Sequence, residues 1–358
     1  MVRHAEAEGN TYRRAHGRFD GFISGRGHMQ IELLKKRFLG EEITAVYSSD
    51  LYRARTTAKA ISLPKGLETE LSEKLREVNM SCWEDVAWGD LYYHQLEMVR
   101  AFTYDPENWI IDGSERYDRV QTRMFDFIQD KAKLHDNESI AFVSHGFAIR
   151  SFLCKVSGIA SKDSITMPYC DNTAVTLLTY DDGSFHVEYM GDNSHLKIET
   201  STLANQVWWR SEEESAMENM YFLPLDEARD SGILKEFCGE GYTRSNVNKE
   251  YTTFITEGPI GMVGLGEASG AGQPCDAEAG WINYMYLKPG YRGRCYGVQM
   301  IGQAISDSRK QGKSKLREII PPGDGLLRYY EKYGFLLIDS RDGMYIVEKD
   351  ISTPGKGE

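Results

Sequence analysis

Six side chains that lie far apart in the sequence are suited to handling a phosphate ester: Arg3, His4, Asn10, Arg53, Glu77 and His145. Arginine guanidinium groups bind phosphate oxygens through a planar pair of donors. A histidine nitrogen can act as a nucleophile, and a glutamic acid can protonate a leaving alkoxide. Together these residue types are what phosphoryl transfer through a covalent phosphohistidine requires.

The elements that must position these side chains are those of an α/β fold. "GRGHMQIELLKKRF" predicts a helix over 25–38, and "ITAVYSSD" predicts a strand that ends in serines. "SIAFVSHGFAIRSFLCKVSG" reads as a buried strand, a tight turn and a helix, which indicates a mostly parallel sheet. Sites in such folds form at the carboxyl ends of the strands, so we expect the six side chains to meet there.

Further elements are predicted over the rest of the first half. The pattern favours helices over 51–61 and 116–135, and a hairpin around the Asp-Asp-Gly of "TAVTLLTYDDGSFHVEYMGD".

Four segments of the first 200 residues resemble one known family. "VRHAEAEGN" is similar to the Arg-His-Gly-Glu-Thr-x-x-Asn signature of the histidine phosphatase superfamily, which has the phosphoglycerate-mutase-like fold. "YSSDLYRARTTA", "LREVNMSCWED" and "VSHGFAIR" resemble its later motifs, in the same order. The resemblance implies a three-layer domain with a mostly parallel sheet, over residues 1–205.

The resemblance also implies a role for each matched residue. His4 becomes the phosphorylated nucleophile, Arg3, Arg53 and His145 hold the phosphoryl oxygens, and Glu77 protonates the leaving group. Asn10 matches the asparagine of the signature and is assigned to the phosphate site. Four residues match positions where the family contacts the rest of its substrate: Arg14, His16, Gly17 and Ser24. No metal is expected, because arginines and histidines supply the positive charge.

Departures from the family pattern bear on substrate choice. The family commonly has Gly at the position of Ala5, Thr or Ser at that of Ala7, and Trp at that of Gly9. These differences affect substrate contacts more than the chemistry. After Glu77, "VNMSCWED" replaces the Arg-His-Tyr-Gly run of the cofactor-dependent mutases, whose long basic insertion has no counterpart. The sequence therefore favours a phosphatase, and a phosphoglycerate-type mutase is the alternative.

Only Met1 and Val2 precede the Arg-His pair, where family members have four or five apolar residues that form the central strand. Losing that strand would leave backbone groups and apolar surface without partners. The expectation is either a start site placed too late or a weakened first domain.

The pattern changes after about residue 203. "ANQVWWRSEEESAMEN" combines aromatic residues with a Glu/Ser run, and we interpret 206–216 as a linker before a second domain over 217–350. In this domain the sequence predicts strands at 220–223, 251–256 and 259–266, a helix over 225–240, and the strand "GWINYMYLKP". The helices of "GVQMIGQAISDSRKQG" and "GLLRYYEKYGFLLID" follow, with "KLREII" between them.

The turn in "YLKPGYRGRCYGVQMI" joins a strand to a helix. Backbone N–H groups at a helix start can bind a pyrophosphate, although an Arg-Gly turn alone is usually structural, and the segment lacks a P-loop Lys-Ser/Thr. This segment and "LLRYYEKYGF" resemble the coenzyme A segment and the late helix of the GNAT acetyltransferases. The resemblance implies an α+β domain with a mixed sheet that uses acetyl-CoA.

The matched coenzyme positions are Tyr286, Leu287, Arg292, Gly293, Arg294, Cys295, Tyr296, Gly297 and Val298. Tyr330 matches the tyrosine that protonates the leaving thiolate. For Tyr329 and Tyr333, a role as buried aromatic residues that fill the core is about as well supported as a functional one. Cys295 replaces the first glycine of the pattern, so its side chain is expected to crowd the pyrophosphate or to require a positive φ.

Composition excludes some partners. The net charge is −12, and both halves of the chain are acidic, which argues against nucleic acid and anionic membranes. No stretch is long and apolar enough to cross a bilayer, and six scattered cysteines, Cys275 among them, are expected to be reduced thiols. We therefore expect a cytoplasmic bifunctional enzyme that hydrolyses a small phosphorylated metabolite and acetylates an amine. The alternative from another class is a protein in which one domain only senses a ligand.

Overall fold

In the computed structural model, which describes residues 1–268 and 276–355, the chain builds two separate β-sheets. The first has six strands in the order β3-β2-β4-β1-β5-β6. These strands are β1 (Val2–Arg3), β2 (Ala45–Ser48), β3 (Thr69–Leu71), β4 (Ile140–Ser144), β5 (Val175–Asp181) and β6 (Ser184–Asp192). β1 to β4 are parallel, and β5 and β6 extend the sheet antiparallel.

Helices cover both faces of this first sheet. They are α1 (Glu8–Tyr12), α2 (Gly25–Phe38), α3 (Tyr52–Ser62), α4 (Trp88–His94), α5 (Leu96–Tyr104), α6 (Tyr117–Ala132) and α7 (Gly146–Val156). Successive residues of β4 point to opposite faces. Val143 packs with Leu34 of α2, whereas Phe142 packs with Met124 of α6 and Phe152 of α7. The predicted three-layer domain with a mostly parallel sheet is confirmed.

The second sheet has seven strands in the order β12-β13-β11-β10-β9-β8-β7. They are β7 (Tyr221–Pro224), β8 (Val247–Ile255), β9 (Gly258–Gly266), β10 (Ala279–Leu287), β11 (Lys315–Ile320), β12 (Leu336–Arg341) and β13 (Met344–Asp350). Its helices are α8 (Glu212–Glu218), α9 (Ser231–Gly239), α10 (Tyr296–Lys310) and α11 (Asp324–Lys332). β10 and β11 pair in parallel and the other neighbours are antiparallel, so the predicted mixed sheet is confirmed.

One helix begins later than its sequence pattern predicts. The expected helix over 225–240 starts only at Ser231, because the preceding residues form a turn around a buried carboxylate. Asp230 accepts a hydrogen bond from the Asp226 N–H at 3.0 Å and another from the Thr252 hydroxyl at 2.6 Å. The segment interpreted as a linker contains the start of α8, whose N-cap is Ser211.

The two sheets are joined through a shared apolar core. Tyr12 of α1 and Ala87 pack inside the core of the second sheet, against residues of α10. A buried ion pair crosses the same interface, with the Arg309 guanidinium 2.9 Å from the Glu8 carboxylate. Helix α1, which follows the Arg-His pair, is therefore held by both halves of the chain.

Five cysteines in the described residues are free thiols, and Cys275 lies outside the described residues. Among residues 1–268 and 276–355, the helices are too short or too polar to span a bilayer.

Candidate active site

The predicted phosphate residues gather at the carboxyl edge of the first sheet. His4 follows β1, Ser49 follows β2 and His145 follows β4, and these three strands run parallel. The rings of His4 and His145 lie 5.1 Å apart between centroids. Arg53 comes from the first turn of α3, and Glu77 from the loop after β3.

His4 has one ring nitrogen available for attack. Its Nδ1 lies 2.7 Å from the Ala5 carbonyl oxygen, and because a carbonyl only accepts, Nδ1 must carry the proton. The lone pair is therefore on Nε2. Burial, with Arg53 and Arg3 nearby, holds the pKa of His4 well below its usual value, so the ring is neutral and nucleophilic.

Two arginines surround this ring. The Arg53 guanidinium donates to the carbonyl oxygens of Gly17, at 2.6 Å, and Phe19, at 3.0 Å. Arg3 donates to the Cys170 carbonyl at 2.6 Å, while its Nε is buried without a hydrogen-bond partner in the described residues. Burial lowers the pKa of both groups. Arg53 also lies 3.4 Å from the Asp20 carboxylate, so it is Arg3 Nε whose hydrogen bond an anion between the two groups would supply.

His145 is fully buried and anchored on one side. Its Nε2 lies 2.8 Å from the Ser49 hydroxyl, and its Nδ1 has no partner in the described part of the chain. Burial and the charge of Arg53 keep its pKa well below the usual value. Ser49 was not predicted as a site residue, although it lies in the quoted serine run.

Glu77 occupies the N-terminus of α7. Its carboxylate accepts from the N–H groups of Val78 at 3.0 Å, Phe147 at 3.1 Å and Ala148 at 2.9 Å. These contacts favour the charged form, but burial outweighs them and raises the pKa of Glu77. A carboxyl group that keeps its proton to higher pH can serve as a general acid.

A cavity of about 320 Å³ opens from the phosphate residues toward the second half of the chain. Asn10, Arg14 and His16 line it, but the Arg14 guanidinium is already bound to Asp85, with Nε 2.9 Å from Oδ1. His16 Nε2 lies 3.5 Å from the same carboxylate. These two side chains are therefore held by the protein.

Gly17 and Ser24 are not among the described residues that line the cavity. The Gly17 carbonyl accepts from Arg53. The Ser24 hydroxyl caps α2 by accepting from the Gly27 N–H at 3.0 Å and donates to Glu6 at 2.7 Å. Neither residue is therefore placed to contact a ligand in this cavity.

Sequence reasoning missed the outer part of this cavity. Its walls are rich in aromatic residues, and three arginines that were not predicted, Arg13, Arg150 and Arg210, line it as well. Six of the aromatic residues are Trp88, Tyr92, Phe102, Phe147, Tyr169 and Trp208. Trp208 belongs to the segment interpreted as a linker, where aromatic residues were visible but had no recognisable pattern.

In the second half, the β10–β11 pair opens at the predicted coenzyme site. The two strands pair only from Ala279 with Lys315 to Ile282 with Glu318, whereas β10 continues to Leu287. Beyond Ile282 one side of β10 has no strand beside it in the described residues. The gap lies beside Tyr286 and Leu287, two of the predicted coenzyme positions.

The turn before α10 is exposed from Arg292 to Cys295, at the N-terminus of a 15-residue helix. Cys295 adopts a φ of 61°, so it takes the left-handed conformation that its place in the pattern suggested. Arg292 is partly engaged, donating to Glu240 at 2.9 Å and to the Leu287 carbonyl at 2.7 Å. The side chains of Tyr296 and Val298 are buried, so these residues can offer only backbone groups.

Tyr330 is only 1 % exposed, and its hydroxyl donates to the Glu318 carboxylate. Burial raises the pKa of Glu318 to about 8. Glu318 was not predicted, although a glutamate inside the apolar strand "KLREII" was a visible sign. Tyr329 is different, because its hydroxyl is buried without a partner in the described residues and faces Gly297 of α10.

Comparison with known proteins divides the chain in the same way. The family model described as "Histidine phosphatase superfamily (branch 1)" matches residues 1–193, and the "Acetyltransferase (GNAT) family" model matches residues 208–335. Phosphoserine phosphatase 1 of Hydrogenobacter thermophilus is 28% identical over 178 residues, covering 50% of this chain and 84% of that protein.

Two further relatives match the same half. Phosphoglycerate mutase-like protein 4 of Arabidopsis thaliana is 30% identical, covering 55% of this chain and 86% of that protein. The solved structure of YhfR from Bacillus stearothermophilus superposes with a TM-score of 0.53 at 27% identity, covering 55% of this chain and 97% of that one.

Proposed function

Because the chain belongs to the histidine phosphatase superfamily, we propose that its first half hydrolyses phosphomonoesters of small metabolites through a phosphorylated His4. The observation that carries this proposal is the state of His4. It is neutral, its proton is fixed on Nδ1 by the Ala5 carbonyl, and its Nε2 is free beside two buried guanidinium groups.

In the first step, His4 Nε2 attacks phosphorus and the ester P–O bond breaks. Arg3, Arg53 and His145 bind the phosphoryl oxygens, where negative charge is spread in the transition state. Glu77 gives its proton to the leaving oxygen. In the second step, Glu77 takes a proton from water, the resulting hydroxide attacks the phosphohistidine, and inorganic phosphate leaves with His4 restored.

Relatives support a small phosphorylated substrate, since one is a phosphoserine phosphatase. A second candidate is phosphoryl transfer between two positions of a sugar acid, because another relative is named a phosphoglycerate mutase-like protein. Release of inorganic phosphate separates the two reactions, as a mutase returns the phosphoryl group to its product.

For the second half, we propose binding of acetyl-CoA and transfer of its acetyl group to an amine. An exposed turn with two arginines precedes the N-terminus of a 15-residue helix, where a pyrophosphate can bind. This turn supports the proposal. The backbone amides from Arg292 to Val298 would hold that group, next to the open side of β10. Bound acetyl-CoA supplies an activated acetyl thioester, and Tyr330 with Glu318 forms a nearby pair that can move a proton.

The decisive experiment measures phosphate release from a panel of phosphorylated metabolites, with coenzyme A binding followed by calorimetry. His4→Ala is expected to abolish phosphate release and leave coenzyme A binding intact. His28→Ala is the matched control, since His28 is an exposed histidine on α2. Wild-type protein quenched during turnover should carry an acid-labile phosphoryl group, and hydrolysis by the His4 variant would refute the assigned nucleophile.

A further inference from the structure

The segment that joins the two halves, residues 206–220, forms one wall of the phosphatase cavity. Trp208 and Trp209 of this connecting segment line the cavity, which also contains the phosphate residues. The start of the segment is held by the first half, because the Gln206 Nε2 donates to the Asn10 carbonyl at 3.0 Å. The position of the wall therefore depends on how the rest of the connecting segment is fixed.

The end of the connecting segment is held by the first turn of α10. The Tyr296 hydroxyl donates to the Met217 carbonyl at 2.8 Å. The Gln299 side chain donates to the Glu218 carbonyl at 2.8 Å and accepts from the Met220 N–H at 2.9 Å. Both of these α10 side chains are buried. Three hydrogen bonds from one helical turn thus fix this end of the segment.

Glu218 extends this attachment to the cavity wall. Its carboxylate accepts from the backbone N–H groups of Val207, at 2.9 Å, and Trp208, at 2.7 Å. The Trp208 ring packs on Arg13, whose guanidinium lies 5.1 Å from the ring centre and also lines the cavity. Glu218 is thus bound to α10 through its backbone and to the wall of the phosphatase cavity through its side chain.

The residue before Tyr296 has a strained backbone. Cys295 is the N-cap of α10 and has a φ of 61°, which costs free energy for a residue with a Cβ. Strained residues of this kind persist only where surrounding contacts hold them, and they are common at ligand sites and switches. Because Tyr296 directly follows Cys295, relaxation of this turn would move the hydroxyl that holds Met217.

The proposed coenzyme site lies at this same turn. Its N–H groups precede and begin a 15-residue helix and can bind a pyrophosphate. The Tyr329 hydroxyl, which is buried without a partner in the described residues, would lie 2.6 Å from a Cβ added at Gly297. A pyrophosphate that binds this conformation of the turn stabilises it against relaxation.

We propose that the coenzyme site is also an effector site for the phosphatase. A ligand with a pyrophosphate holds the Cys295 turn, and through Tyr296 and Glu218 it holds the cavity wall in the form that contacts the phosphate ester. When the turn relaxes, the alcohol part of the ester loses these contacts and KM rises. The inference rests on both proposed functions and adds a sensing role to the second half. By linkage, the ester must raise the affinity for the coenzyme by the same factor.

The effect of dephospho-coenzyme A on the hydrolysis of 4-nitrophenyl phosphate by the full chain tests this proposal. Dephospho-coenzyme A keeps the pyrophosphate but has no phosphomonoester, so it cannot compete as a substrate of the phosphatase. At saturation it should lower KM at least about fivefold, the lower end of typical couplings between two binding sites, and change kcat little. Pantetheine, which lacks the pyrophosphate, should leave KM unchanged.

Two variants should weaken this coupling for different reasons. Tyr296→Phe removes the hydroxyl that holds Met217, so KM should remain at or above that of the ligand-free wild type, and dephospho-coenzyme A should lower it much less. Cys295→Gly removes the strain, so KM without ligand should already fall toward the ligand-bound value. Tyr345→Phe, on β13 and outside the cavity lining, is the control and should respond as the wild type does. A thermal melt of each variant separates loss of folding from loss of coupling.

Calorimetry separates failure of this inference from failure of the two proposed functions. If dephospho-coenzyme A binds and the ester is hydrolysed, an unchanged or higher KM would overturn the inference and leave both functions standing. If the ester is not hydrolysed, the affinity for dephospho-coenzyme A is compared with and without saturating benzylphosphonate, and equal affinities would overturn the inference. Absence of dephospho-coenzyme A binding would overturn the coenzyme site and the inference together.

Discussion

At the scale of single residues, the proposed catalysis depends on burial having opposite effects on the charge of His4 and on the pKa of Glu77. Burial keeps His4 uncharged, as the proposed nucleophile must be, and burial raises the pKa of Glu77, which favours the protonated form that the proposed general acid needs. Three backbone N–H groups nevertheless hold the Glu77 carboxylate, so its position is fixed in both protonation states. A neutral imidazole and a carboxyl group with a raised pKa therefore line the same cavity.

Glu77→Gln is expected to slow hydrolysis according to how poor the leaving group is. Alkyl phosphates need a proton on the departing oxygen, and loss of a general acid costs about 10²- to 10⁴-fold in rate. With 4-nitrophenyl phosphate the loss should be much smaller, because that leaving group departs without protonation. Steady-state phosphate release from both esters measures the difference, and Glu68→Gln, at an exposed position, is the control.

The pH profile gives an independent check of the same role. Because the pKa of Glu77 is raised, its proton is retained above the usual range of a glutamate, and kcat/KM for an alkyl phosphate should fall as pH rises through that pKa. The fall should be absent for Glu77→Gln. Equal losses on both esters with an unchanged profile would assign Glu77 a structural role.

Sequence reasoning identified the residues that lie in short motifs and missed those whose environment depends on the tertiary structure. His4, Glu77 and His145 lie in segments with a recognisable order of residues. Arg13 does not belong to a recognisable motif. Its environment is set by Trp208, almost 200 positions later in the chain, whose ring packs on its guanidinium. Such a contact depends on how the whole chain folds, which local patterns do not encode.

At the scale of elements, strong periodicity predicted position well. The helix expected over 25–38 coincides with α2, whose N-cap Ser24 and C-terminal basic residues mark both ends. The predicted start of α9 was wrong. The residues before it have a composition typical of a helix, but they form a turn in which Asp230 accepts hydrogen bonds from backbone and side-chain donors. The opening between β10 and β11 could not be predicted from the sequence, because it depends on where two strands that are far apart in the chain stop pairing.

Cys295 provides a test of the turn before α10. A non-glycine residue at a φ of 61° carries backbone strain of about 1–2 kcal/mol, which glycine would relieve. Cys295→Gly is therefore expected to leave the thermal midpoint unchanged or higher and to bind coenzyme A at least as tightly. Cys295→Ala, which keeps the Cβ, should match the wild type in both. Weaker coenzyme A binding by both variants would indicate that the thiol itself contributes to the site, whereas weaker binding by the glycine variant alone would indicate that the turn needs the restraint of a Cβ.

At the scale of the whole molecule, the two halves are packed as one body around α1 and α10. Tyr12 is buried in the core of the second sheet, and Arg309 of α10 is paired with Glu8 of α1. Helix α1 carries Asn10, a predicted phosphate residue, and ends beside Arg13, while α10 begins at the predicted coenzyme turn. The two proposed sites are thus connected by two helices in direct contact. The sequence showed two families in one chain but gave no sign of this contact.

Gly302→Ala tests whether the phosphatase site depends on this packing. A Cβ at Gly302 would lie 2.5 Å from the Tyr12 Cβ, so α1 and α10 must move apart, at a cost of about 1–3 kcal/mol for overpacking. Helix propensity alone would favour alanine by about 1 kcal/mol. The substitution should therefore lower the thermal midpoint and also slow phosphate release, although it lies in the second half of the chain.

Gly232→Ala is the matched control, because Gly232 is also in a helix, α9, and an added Cβ would have no described atom within 4 Å apart from its chain neighbours and its own helix backbone. Its thermal midpoint should stay unchanged or rise, with phosphate release unaffected. Differential scanning calorimetry and the phosphate assay, run on both variants, compare the two positions directly. If Gly302→Ala leaves phosphate release at the wild-type level while lowering coenzyme A binding, the two halves work independently, and the contact between α1 and α10 only holds them together.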